Sequence, residues 1–95
     1  MGIGNIDVGM YKVISASGNI TGKNAGGGAL RGIWVSAASA TPTITVYDDP
    51  LTGTTTPIVT VFTPAPSTWY TLPFSYTQGL NIVISGTVSA TVSYV

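Results

Sequence analysis

Alternation of large aliphatic with small polar residues is the feature that most constrains this chain. In Thr43–Tyr47, for example, Ile44 and Val46 alternate with threonines, and similar segments rich in Val, Ile, Thr and Tyr recur along the sequence. Successive side chains of a β-strand point to opposite faces, so this pattern predicts strands with one buried face. Clusters of Gly, Pro and Asp, which favour turns, separate the segments.

The alternation predicts eight short strands in the 95-residue chain. They cover residues 10–14, 15–21, 30–36, 43–47, 58–62, 68–72, 79–85 and 88–94. We expect a hairpin between the fourth and fifth strands and another between the last two, around Gly86-Thr87. A bulge is expected at Gly32, because without one Leu30 would lie on the opposite face from Ile33 and Val35.

Short strands separated by turns at such close spacing are typical of β-sandwiches. No segment has a helical period over the roughly 10 to 12 residues that a helix usually needs. The predicted fold is therefore all-β: a single small antiparallel β-sandwich, jelly-roll-like, with seven or eight short strands. We assign residues 12–95 to this domain and residues 1–11 to an N-terminal arm.

Charged residues make up only 6% of the chain and cancel to a net charge of zero, whereas an average soluble domain has roughly 25%. A neutral surface has little repulsion to keep molecules apart, which favours packing against copies of itself or a larger body. Three scattered cations do not make a phosphate-binding or membrane-binding patch, and no apolar stretch approaches the roughly 18 residues of a membrane span. We expect no nucleic acid and no membrane partner.

The chain contains no histidine and no cysteine, so catalysis would depend on three aspartates, two lysines and hydroxyl groups. Asp48-Asp49-Pro50 is ordinary turn sequence, and adjacent carboxylates in a turn point apart, so a catalytic pair is not expected. Calcium is the one ion that Asp48 and Asp49 would suit, but it usually takes roughly six to eight oxygen ligands. The sequence predicts neither an enzyme nor a cofactor.

The aromatic residues allow two interpretations. We favour the interpretation that they pack in the core or in an interface, since a small sandwich needs a few large rings and Trp34 is flanked by Ile33 and Val35. In the alternative they form a flat platform that stacks on sugar rings, assisted by Asn81 or Asp48. The residues concerned are Trp34, Trp69, Tyr70, Phe74 and Tyr76.

The order of strand and turn segments from Gly28 onward resembles that of a known group of proteins. The segments that carry the resemblance are residues 28–39, Pro42–Asp48, Thr68–Pro73, Gly79-Leu80, and Ser85–Thr87 followed by the residues up to Tyr94. In this layout the chain is similar to the small β-sandwich proteins that decorate or cement the capsids of tailed bacteriophages. The resemblance is one of layout and includes no catalytic signature.

The resemblance implies a structural virion protein on the capsid exterior. Such a protein binds between major capsid proteins as a homo-oligomer, commonly a trimer, and stabilises the head; the N-terminal arm would become ordered on the capsid or on an adjacent subunit. The alternative is a carbohydrate-binding or receptor-binding module of a phage tail or head fibre. The candidate interface residues are Lys12, Arg31, Trp34, Trp69 and Tyr70, the first two because charges are scarce.

Overall fold

The structure is a computed structural model that describes residues 10–22 and 26–95, apart from the side chain of residue 40. It has six strands: β1 Met10–Ile14, β2 Gly18–Asn19, β3 Gly28–Asp48, β4 Pro57–Phe62, β5 Thr68–Tyr76 and β6 Leu80–Tyr94. These residues contain no helix, and all pairs of strands are antiparallel. The predicted class, a small all-β antiparallel domain, is confirmed. Among the described residues no helix is long and apolar enough to cross a membrane.

Strands β3 and β6 each combine two of the predicted strands. The hairpin expected at Gly86-Thr87 does not form. Ser85 and Thr87 both pair with residues of β3, so β6 continues through Gly86 as one strand. Gly86 has a φ of 77°, a conformation that favours glycine. It lies opposite an irregular part of β3, where the register shifts between Ser39 and Thr43. The two strands therefore bend together at this point.

The sheet consists of two halves that share β3 and β6. In the half that we call the β5 half, the strand order is β1-β6-β3-β5, and β3 contributes residues 28–35. In the β4 half, the order is β2-β6-β3-β4, and β3 contributes residues 44–48. The sheet curls into a half-barrel, so that one hydrogen-bonded sheet surrounds the core.

Two local predictions about β3 are confirmed. The register against both β5 and β6 shifts between Leu30 and Gly32, which is the expected bulge. Strands β3 and β4 form the expected hairpin, in which Ile44 pairs with Phe62 and Val46 with Val59. Both features keep the aliphatic residues of β3 on one face, the inner face.

The core lies on the inner face and contains residues from both halves. Because β3 and β6 alternate in each half, their aliphatic side chains meet in a single cluster. Its hydrophobic members are Ile14, Ile20, Leu30, Ile33, Val35, Ile44, Val46, Tyr76, Leu80, Ile82, Val88, Ala90 and Val92. The two long strands β3 and β6 thus contribute most of the core, and the side chains of the outer face lie outside it.

Candidate functional site on the outer face and the sheet edges

The outer face of the β5 half carries large apolar side chains. Trp34 lies between the buried Ile33 and Val35 on β3, so its side chain points away from the core. Pairing across the four strands places one residue from each strand in a row on this face. In order from β1 to β5, the row is Val13, Thr91, Trp34 and Trp69.

These outer-face side chains are exposed: Trp34 by 40%, Trp69 by 48%, Val13 by 65%, and Tyr11, in the next row of β1, by 73%. Since an aromatic side chain carries roughly 150–250 Å² of surface, these four side chains together expose roughly 400 to 500 Å², with Thr91 and Ser93 of β6 between those of β1 and those of β3 and β5. This extent is ordinary for the largest apolar patch of a monomer, and such a patch is often functional. The favoured interpretation was packing in the core or in an interface: core packing is wrong for Trp34 and Trp69, holds for Tyr76, and packing of the tryptophans in an interface stays a prediction.

Trp69 is held on the outer face by contacts with Gly32 and Thr71, and we call this arrangement the seat of Trp69. A Cβ atom on Gly32 would clash with Cζ2 and Cη2 of the Trp69 indole, so the six-membered ring of the indole lies directly against Gly32. Its Nε1–H donates a hydrogen bond to the Thr71 hydroxyl at 3.0 Å. The glycine that the sequence predicted as a bulge therefore also makes room for an aromatic ring from the neighbouring strand.

A groove of about 440 Å³ runs beside Trp69 at the β5 edge of the sheet. Arg31, which follows Leu30 at the bulge, is one of its walls, as are Thr71 and Pro73 of β5. The complete lining is Ala29, Leu30, Arg31, Trp69, Thr71, Pro73 and Val95. Of the predicted interface residues, the structure thus brings Arg31 and Trp69 to one groove, with Trp34 paired to Trp69.

Tyr70 has a different role from the adjacent Trp69. Adjacent residues of a strand point to opposite faces, so Tyr70 and Trp69 form no common platform. The Tyr70 ring packs against Phe62 with centroids 5.1 Å apart and planes inclined at 55°, and its hydroxyl accepts a hydrogen bond from the Ala65 N–H at 2.8 Å. Tyr70 therefore joins β5 to β4 and to the loop after β4.

The polar residues that the sugar-platform interpretation placed beside the tryptophans lie in the β4 half. Asn81 pairs with Tyr47, is 2% exposed, and donates from Nδ2 to the Gly53 carbonyl oxygen at 3.0 Å. Asp48 pairs with Leu80 at the end of the same half. That part of the interpretation is wrong, because β3 and β6 carry these residues away from Trp69.

Asp48 binds the turn between β5 and β6. Its carboxylate accepts hydrogen bonds from the Thr77 N–H and hydroxyl, both at 2.9 Å, and from the N–H groups of Gln78 at 2.8 Å and Gly79 at 3.3 Å. Burial acts to raise the pKa of Asp48, but these hydrogen bonds outweigh it, so its pKa lies below the ordinary value of 3.8. Both oxygens face donors, which is the environment of a turn-stabilising anion.

Asp49 and Asn19 connect the neighbouring loops. Asp49 Oδ1 accepts the Leu51 N–H at 2.8 Å, which is the turn role predicted for it. Asn19 Nδ2 donates to the carbonyl oxygens of Asp49 at 2.9 Å and Leu51 at 2.7 Å, and its Oδ1 accepts the Gly22 N–H at 2.6 Å. Across residues 10–22 and 26–95, no three His, Cys, Asp or Glu residues are grouped as ligands for a metal ion.

Strand β1 forms the edge of the β5 half opposite to β5, and within the described ranges it pairs only with β6. Its first four residues are all exposed, including Met10 by 60% and the apolar Tyr11 and Val13. Lys12, a predicted interface residue, lies in the middle of this edge. Most of the predicted N-terminal arm lies outside the described residues, and its last two residues, Met10 and Tyr11, belong to β1.

Comparison with protein families, curated proteins and solved structures finds no match to this chain.

Proposed function

We propose that the protein is a structural virion protein of a tailed phage, a decoration protein that binds to the capsid exterior as an oligomer, in contact with the major capsid protein. The observation that supports this proposal best is the exposed, apolar edge strand β1. In this role the β1 edge makes the contacts between subunits, and many copies on a symmetric shell combine modest interfaces into a stable assembly.

An exposed edge strand offers unpaired N–H and C=O groups to another chain. Soluble monomers usually protect such an edge with charged residues, proline or a bulge. In β1, Lys12 is the single charge, and it is surrounded by the exposed Met10, Tyr11 and Val13. A strand that pairs with β1 would gain backbone hydrogen bonds and would bury apolar side chains of the edge.

The distribution of charge favours the same role. Two of the six charged residues, Asp48 and Asp49, are engaged in hydrogen bonds with turns of the β4 half. Within the described residues the charged side chains of the β5 half are Lys12 and Arg31, and the rest of its side-chain surface is uncharged and opposes contact with a neutral capsid surface little. Its exposed polar residues are mostly Thr and Ser, which suit a flat strand surface that packs against protein.

The test of assembly is the mass of the protein in solution, measured by light scattering over a concentration series. We expect a discrete oligomer for the wild type, and dissociation to monomers for Val13→Lys, since a charge on the edge opposes strand pairing. The matched control is Val61→Lys: Val61 is exposed by 62% and lies on β4, away from β1. This control is expected to keep the wild-type mass.

A wild type that stays monomeric at the highest concentration, or equal dissociation of both lysine variants, would contradict assembly through β1. Binding to the capsid is tested by sedimenting the protein with heads assembled from candidate major capsid proteins. Wild-type protein should sediment with the heads, whereas Val13→Lys should remain in the supernatant.

A further inference from the structure

We propose that the groove beside Trp69 is a glycan-binding site in which a pyranose ring stacks on the indole. This goes beyond the proposed assembly role and concerns the other edge of the sheet. The groove is lined by residues of β3 and β5 and by Val95, and none of its lining residues belongs to β1.

The first argument is the orientation of Trp69. Its six-membered ring lies directly against Gly32, and the side chain is still 48% exposed. Its one polar atom, Nε1, is already bonded to Thr71. The structure therefore offers a half-exposed apolar ring that one hydrogen bond and the contact with Gly32 hold in place, with no unmet hydrogen bond. The C–H face of a pyranose is apolar and of similar size, and it packs on such rings.

The second argument is the polar groups around the ring. Arg31 lines the groove, and an arginine side chain has five N–H donors, more than one partner within the protein occupies. The Thr71 hydroxyl accepts from Trp69 and keeps its own proton and a second lone pair. Donors and acceptors at the border of an apolar ring match a sugar, whose hydroxyl groups surround its apolar face.

The third argument is size. The groove is open to solvent and has a volume of about 440 Å³, within the range of roughly 300–1,000 Å³ that is typical of small-molecule sites. Pro73 and Leu30 form walls that cannot rotate freely, because one is a ring and the other is buried in the core. A site of this size takes one or two sugar rings and leaves the rest of a chain in solvent.

The probes for this site are cellohexaose and chitohexaose, two β-linked oligosaccharides with flat pyranose faces. We expect at least one of them to bind wild-type protein with a dissociation constant on the order of 10⁻⁴ M, measured by calorimetry and by the tryptophan side-chain signals in NMR spectra. Trp69→Ala should weaken this binding at least about tenfold. Trp34→Ala is the matched control, since Trp34 is on the same face but outside the groove lining. The affinity of this variant for the oligosaccharide should equal that of the wild type.

Gly32→Ala tests the seat of the ring without removing an aromatic side chain. The added methyl group would displace the indole, so binding should weaken as it does in Trp69→Ala. Because the added Cβ would also clash with the backbone oxygen of Tyr70 at the bulge, Thr71→Val provides a second test: it removes the acceptor of the Trp69 N–H and should weaken binding while the protein stays folded. Thermal unfolding verifies the fold of each variant.

The inference is overturned if neither oligosaccharide binds the wild type at millimolar concentration, or if Trp34→Ala and Trp69→Ala weaken binding equally. It is separable from the assembly proposal, since Trp69→Ala should retain the wild-type mass in light scattering. Loss of the oligomer in Val13→Lys with intact glycan binding would support both proposals.

Discussion

The two halves of the sheet use their polar residues in opposite ways. In the β4 half, the side chains of Asp48, Asp49, Asn19 and Asn81 are all bonded to loop backbone, and the loops are held to the sheet. In the β5 half, the outer face presents exposed tryptophan, tyrosine and valine separated by Thr and Ser.

This difference indicates that the β4 half uses its polar side chains to hold loops, whereas the β5 half exposes apolar side chains that can contact another molecule. Carboxylates are expensive to leave unpaired near a protein interior, and here they stabilise turns. The apolar surface left uncovered in the β5 half adds nothing to the stability of the isolated domain. Burial of that surface against another molecule would favour binding, which is why both proposals concern this half.

The comparison predicts that inner and outer residues of β3 differ most in their effect on stability. Ile33→Ala should lower the free energy of unfolding by about 3 to 4 kcal/mol, because Ile33 is fully buried. Trp34→Ala, at the next position, should cost less than about 1 kcal/mol in the isolated domain. Urea unfolding at low protein concentration measures both; a similar loss in the two variants would mean that the outer face is covered in the monomer.

The second prediction concerns the turn that Asp48 holds. Asp48→Ala removes the acceptor of four hydrogen bonds and should cost about 2 to 3 kcal/mol in unfolding experiments. Asp48→Asn, which keeps the shape but loses the charge and one acceptor oxygen, should be intermediate. If Asp48→Ala unfolds like the wild type, the loops of the β4 half do not depend on this carboxylate.

The pH dependence of the same variants tests the charge. Since the folded-state pKa of Asp48 lies below its ordinary value of 3.8, its contribution to stability is present above about pH 4 and disappears as the pH falls through the folded-state pKa. The thermal unfolding temperature of the wild type should therefore fall in that acid range. The decline should be smaller for Asp48→Asn, and an identical decline would contradict the assignment.

A smaller effect is expected at alkaline pH in the β5 half. Burial raises the pKa of the Tyr76 hydroxyl above its ordinary value of 10.0, and repulsion from a charged Tyr94 raises it further. The neutral hydroxyl donates to the backbone oxygen of Val95 at 2.9 Å. Its contribution is therefore present below about pH 10 and is lost as the pH rises further. Tyr76→Phe should cost about 1 kcal/mol at neutral pH and flatten the alkaline decline in a thermal scan.

Strand positions could be predicted from sequence because alternation is a local signal. The bulge at Gly32 and the turn role of Asp49 followed from residue types alone. The continuity of β6 could not be predicted in this way: Gly86-Thr87 has the composition of a two-residue turn, and only pairing with distant residues of β3 keeps the strand extended.

The candidate site was predictable only in part. The alternation of Ile33, Trp34 and Val35 places Trp34 on the face opposite to its two neighbours, but the favoured interpretation, packing in the core or in an interface, did not decide between the two faces. The seat of Trp69 on Gly32 depends on the register between β3 and β5. Register between strands separated by a long stretch of chain is set by tertiary packing, which no single segment reveals.

The long pairing of β3 with β6 has a consequence for how the chain folds. Leu30 pairs with Tyr94 and Asp48 with Leu80, so long loops must close before the central pair can form. Proteins dominated by such distant contacts fold slowly, in roughly milliseconds to seconds. Strand β1 pairs with residues 90–94, so its edge is completed only after β6 is in place. In a newly synthesised chain the β1 edge, the surface we propose for association, would therefore form at the end of folding, when the chain's own aliphatic residues are already covered.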